Sequence, residues 1–97
     1  MEEFVYYGEL YDLYQGLLTQ KQRHYFEDYY FHNLSLGEMA ENEQVSRNAI
    51  FKQVHHTVEK LKEYESVLGM YQKKEKLEKV LESTSLEEAK KIIEEIL

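Results

Sequence analysis

Apolar residues recur three and four positions apart along nearly the whole chain, the spacing of one helix face. A first helix over about 4–17 presents Leu10, Leu13, Tyr14 and Leu17. A second, about 20–32, presents Tyr25, Phe26, Tyr29 and Tyr30. A short third, about 36–42, presents Leu36, Met39 and Ala40, and a fourth from about 47 carries Ile50, Val54, Val58 and Leu61 in step. Leu34 and Val45, in the two intervening turns, are expected to point into the core.

Helix starts are marked by side chains able to satisfy the unpaired N–H groups of a first turn. Thr19 with Gln22, Ser35 with Glu38 and Ser85 with Glu88 each have capping-box spacing, and Ser46 is an N-cap candidate without the box. The fourth helix has no clear stop before the "STS" at 83–85. Uninterrupted it would hold about 36 residues and run roughly 54 Å, more than a small bundle accommodates. Gly69 is its weak point, where a bend or break costs about 1 kcal/mol. Beyond it Leu77, Val80 and Leu81 form a sparse apolar edge, and a last helix carries Leu86, Ala89, Ile92, Ile93 and Ile96 on one side. Neither segment is long enough to be stable alone. Each is expected to pack on the bundle or on the tail of a second chain. Heptad spacing from Leu61 fails at Glu65 and Gln72, which argues for compact antiparallel packing over a long coiled coil. The expected fold is all-α, with a helix-turn-helix bundle over residues 1–62 and a helical packing or dimerisation tail over 63–97.

Composition agrees. Proline is absent, glycine occurs four times, and Glu, Lys and Leu abound. Nine tyrosines and no tryptophan suit a core whose rings keep wet hydroxyls. The absence of cysteine excludes disulfides, a thiolate nucleophile and Cys-based metal sites. No run of some 18 apolar residues is present, so no membrane span is expected. The opening "MEEFVYYGELYDLY" lacks a basic n-region, so no secretory signal is expected and the cytoplasm is the expected location.

Charge is distributed unevenly. The chain carries −7 overall, yet residues 1–45 hold nine acids against Lys21 and Arg23, while residues 46–97 balance. Within 46–62, Arg47, Lys52, Lys60 and Lys62 face only Glu59. A polyanion feels the local field within about 8–10 Å, so this basic stretch matters more than the total.

That stretch completes a helix-turn-helix pattern. Met39, Ala40, Val45, Ile50 and Val54 supply the inner set, and Arg47, Asn48, Phe51, Lys52 and His55 are left on the outer face. Arg and Asn suit guanine and adenine edges, and Lys52 suits phosphate. The turn "ENEQ" lacks glycine; if it needs a left-handed residue, Asn42 is the best tolerated. Phe51 is an aromatic on the reading face, and Glu38, Glu41 and Glu43 would repel phosphates. These departures keep open a second reading, a protein adaptor anchored by Phe51.

Other constellations carry less. His24, Asp28 and His32 share a face of the second helix, but adjacent turns offer two ligands at a time, and no metal site is assigned. His55 and His56 diverge by about 100° and cannot chelate together. The chain has no phosphate-cradling glycine loop, no glycine-flanked serine and no carboxylate pair that the sequence assigns to a pocket. No cofactor is expected and the protein is read as non-enzymatic.

The run "LLTQKQRHYFEDYYFHNLSLGEMAENEQVSRNAIFKQVHHTVEKLKEYE" resembles region 4 of bacterial sigma factors. Residues 4–81 resemble more closely the YlxM family of small helix-turn-helix proteins. "LYDLYQGLLTQKQ", "YYFHNLSLGEMAE", "VSRNAIFKQVHHT" and "LKEYE" carry that likeness. The resemblance implies a sigma region 4-like fold and a regulatory part in the signal recognition particle pathway. DNA and signal recognition particle components are the implied partners. Carried onto this chain, the sigma-like DNA contacts fall on Ser46, Arg47, Asn48, Phe51, Lys52 and His55. Specific reading would require a homodimer.

Overall fold

The computed structural model describes residues 3–83 and 85–97. It holds α1 (Glu3–Tyr14), a 3₁₀ turn (Gln15–Leu17), α2 (Gln20–Tyr30), α3 (Leu36–Glu43), α4 (Arg47–Leu68), α5 (Met70–Glu82) and α6 (Leu86–Ile96). The fold is all-α, and no strand occurs among the described residues.

The caps form where the sequence places them. Thr19 and Ser35 each accept from the backbone N–H three residues on, and Gln22 and Glu38 reach back to complete both boxes. The bond from the Ser35 N–H, followed by that from its side chain, holds the Glu38 carboxyl below its ordinary range. Ser46 accepts from the Ala49 N–H at 3.0 Å, and Ser85 from that of Glu88 at 3.1 Å. Position 84 of the expected stop lies outside the described residues.

Two apolar cores meet along α4. Leu10, Tyr11, Tyr14, Leu18, Phe26, Val58, Leu61 and Tyr71 form one, joining α1, α2, α4 and α5. Tyr25, Met39, Ala40, Ile50 and Val54 form the other, joining α2 and α3 to the N-terminal half of α4. Phe26 lies at the centre of the first, stacked on Tyr11 at 4.6 Å and on Tyr30 at 4.4 Å between ring centroids. The Tyr11 hydroxyl donates to Glu27, tying α1 to α2.

Three local expectations are corrected. Leu17 is exposed and Leu18 buried, because the tighter 3₁₀ turn advances the chain out of α-helical phase. Gln44, not Asn42, takes the left-handed position after α3, at φ 57°. Its N–H bonds back to Ala40 and Glu41, and the Val45 N–H reaches the Ala40 carbonyl at 3.1 Å. That reach-back holds Val45 at the rim, where it is 45% exposed instead of buried. Leu34 does pack against the second core. A Gln44→Gly variant is expected to gain about 0.5–1 kcal/mol, since glycine removes the left-handed cost. A thermal melt several degrees higher than wild type checks this, and an unchanged melt refutes it.

The break at Gly69 is complete. Gly69 is left-handed at φ 60° and donates to the Glu65 carbonyl at 2.8 Å, ending α4. Glycine has no side chain to cap α5, and Glu65 does so instead. Its carboxylate is buried and accepts from the N–H of Tyr71 at 2.9 Å and of Gln72 at 3.4 Å. The Tyr14 hydroxyl donates to it at 2.6 Å and accepts from the Met70 N–H at 3.0 Å. Residue 62 therefore falls inside a continuous α4, and the chain turns at Gly69. Beyond that turn α5 and α6 form a hairpin that extends the molecule to 58 × 22 × 18 Å. The radius of gyration is 17.3 Å, against about 13 Å for a compact chain of this length.

Candidate nucleic-acid interface

The helix-turn-helix unit is α3, the Gln44–Ser46 turn and the first half of α4. Ala40 lets the helices cross closely, while Met39, Ile50 and Val54 are buried between them and α2. With that face fixed, Arg47, Asn48, Phe51, Lys52 and His55 all emerge into solvent. The structure brings these five onto one exposed flank. Ser46 sits at its edge, its hydroxyl oxygen accepting from the Ala49 N–H.

Charge on the flank is set by pairing. Among the described residues neither Arg47 nor Lys52 has an ion-pair partner. Lys60 meets Glu63 at 3.4 Å and Lys62 meets Glu59 at 3.5 Å. Lys62 also lies over the Tyr7 ring at 5.3 Å, and its hydrogen bond to the Tyr7 hydroxyl raises its pKa, keeping it charged. The basic stretch thus reduces to two unpaired cations on the first two turns of α4. His55 is 3.9 Å from Glu59 and stacks on Phe51, with ring centroids 5.9 Å apart and planes 12° from parallel.

The acids of α3 are partly engaged. Glu38 closes the Ser35 box, and Glu43 receives His24 at 3.2 Å. His24 also meets Asp28 at 3.3 Å, and His32 meets the other oxygen of Asp28 at 3.1 Å. His24 thus links Asp28 of α2 to Glu43 of α3, while His32, just past the end of α2, pairs with Asp28.

Beside the flank lies a cleft of about 190 Å³ whose walls include Tyr7, Tyr29, Tyr30, Phe51, His55 and Lys62. Spacing puts Tyr29 and Tyr30 on the inward face of α2, and both do pack on the cores while also bordering this cleft; for Tyr7 spacing assigns nothing. Their half-burial depends on how α1, α2 and α4 meet around the cleft, which spacing along one helix does not reveal. No helix among the described residues is long and apolar enough to cross a membrane.

A family model described as "Putative helix-turn-helix protein, YlxM / p13 like" matches residues 1–97. The chain belongs to this family. It is 40% identical to the UPF0122 protein of Fusobacterium nucleatum over 101 aligned residues, covering 100% of this chain and 98% of that one. The UPF0122 protein of Geobacillus kaustophilus is 42% identical, over 84% of this chain and 74% of that one. A Listeria monocytogenes relative is 49% identical, over 76% and 70%. The family's description matches the helix-turn-helix geometry of α3 and α4.

Proposed function

We propose that this family member is a non-enzymatic DNA-binding regulator acting in the cytoplasm, in the signal recognition particle pathway. The observation that carries the DNA reading is the pair of unpaired, exposed cations, Arg47 and Lys52, at the start of the second helix of a helix-turn-helix. Asn48 stands beside Arg47 for a base edge, and the free N–H groups of the α4 N-terminus face the same side. Lys52 meets phosphate and so adds affinity without sequence preference.

With two cations free, about two phosphates are neutralised per chain, and the log–log salt slope is about −2. Fluorescence anisotropy with a promoter-length duplex at low salt is expected to give that slope. Lys52→Ala should reduce it by about one, and Arg47→Ala, which removes a cation that also reaches a base edge, should both flatten the slope and relax the preference between duplex sequences. Absence of salt-dependent binding at micromolar wild-type protein would overturn the reading.

One observation favours a second reading. Phe51 is 53% exposed and borders the tyrosine-lined cleft, which suits a protein anchor. In that adaptor reading the partner is the targeting GTPase or its ribonucleoprotein. Recovery of the particle in a pull-down, lost for Phe51→Ala and kept for Arg47→Ala, would select it.

A further inference from the structure

The α5–α6 hairpin carries an apolar face that its own chain leaves uncovered. On α5, Met70, Leu77 and Leu81 follow at spacings of seven and four and are 44%, 50% and 86% exposed. On α6, Leu86 and Ile93, seven apart, are 72% and 39% exposed. In each helix this stripe lies about a quarter-turn from the side packed on the other helix. The half-buried apolar residues of the pair, Val80 on α5 and Ala89, Ile92 and Ile96 on α6, mark that packed side. The rotation has the same sense in both helices. Because they run antiparallel, the two stripes emerge on one face. At the base of that face a groove of about 240 Å³ opens between Leu13 of α1 and Met70 and Leu77 of α5.

Among the described residues α6 buries none of its side chains fully and lies along α5, with no comparable contact to any other helix. Eleven residues are too few for a stable isolated helix in water. Monomers seldom leave large apolar patches uncovered.

The charges beside the stripe say what covers it. α5 holds four lysines and three glutamates, whereas α6 holds four glutamates and two lysines, so the two helices have opposite net sign. Along the outer margin of the α5 stripe run Lys74 and then Glu78; along that of α6 run Lys90 and then Glu94. Lys74 and Glu94 are equally far from the middle of the α5–α6 connection, as are Glu78 and Lys90. Helix geometry puts the members of each pair on opposite edges of one hairpin, and among the described residues no ion pair joins them. A two-fold axis parallel to the helices brings each to the level of its opposite.

We infer that the hairpin face binds the same face of a second copy of this chain, each α5 lying antiparallel on the partner's α6. The result is a four-helix bundle with a closed, self-complementary interface. Lys74 meets the partner's Glu94, and Glu78 the partner's Lys90. The interface is remote from Arg47 and Lys52, so the inference does not rest on the duplex reading.

Sedimentation equilibrium of the full chain, with circular dichroism to confirm folding, tests it. Wild type is expected at twice the mass of one chain, and Leu81→Glu and Ile93→Glu at the mass of one. Lys74→Glu should weaken the dimer roughly tenfold across its two symmetric pairs, and adding Glu94→Lys in the same chain should restore it. A wild type that stays monomeric at high micromolar concentration overturns the inference. So does a folded Leu81→Glu that remains dimeric, or a Lys74→Glu loss that Glu94→Lys leaves unrepaired.

Discussion

Phe26→Ala is expected to cost about 3–5 kcal/mol, the range for emptying a buried aromatic site. Phe26 has no exposed surface and is stacked between Tyr11 and Tyr30, with Phe31 edge-on at 5.7 Å. These rings come from α1, α2 and the end of α2, so none can follow the others into the gap without moving its helix. A domain of this kind holds about 5–15 kcal/mol in all, so the variant spends a large part of it. α2 also backs α4, and the loss should therefore loosen the support of the Arg47 flank. Urea unfolding followed by circular dichroism measures the change. A shift below about 1 kcal/mol would mean that the aromatic stack does not hold the bundle together.

The part of this architecture that depends on single-helix periodicity was legible in the sequence. Leu10, Phe26, Ile50, Val54 and Leu61 are spaced as inward residues of amphipathic helices, and each is buried. Thr19, Ser35 and Ser46 mark their helices because a cap is a local contract between neighbours three residues apart. The exposed flank followed in turn, since fixing Ile50 and Val54 inward leaves Arg47, Asn48 and Lys52 outward. Features that depend on several helices at once were not legible. Gln44 instead of Asn42 occupies the left-handed position because the length of α3 sets where the turn falls. Lys62 counts as a free cation until α1 brings Tyr7 beneath it. Glu65, read along one helix, is a polar break in an apolar series; its meaning needs α1 and α5 together.

Glu65→Ala is accordingly expected to destabilise the protein by about 3 kcal/mol, although alanine is the better helix former. The substitution leaves the N–H groups of Tyr71 and Gln72 without their acceptor, and the buried Tyr14 hydroxyl without the group to which it donates. Burial first, and then the bond to Glu65, push the Tyr14 pKa from its ordinary 10 up to about 12. The sign of the linkage follows. A raised folded pKa gives stability that is fully present below about pH 10 and is lost as pH rises through about 12. Without Glu65 the Tyr14 pKa falls toward its ordinary value, so this alkaline loss shrinks even as stability at neutral pH drops. A cavity alone would lower stability at every pH alike. Glu65→Gln keeps an acceptor for the Tyr71 N–H and should recover part of the neutral-pH loss, while the alkaline arm stays weakened. Urea unfolding at pH 7 and pH 11 separates these outcomes. If the alanine variant unfolds like wild type at both, Glu65 is not the clasp that fixes the hairpin to the bundle, and the hairpin's direction must be set by Tyr71 packing among α1 and α4 instead.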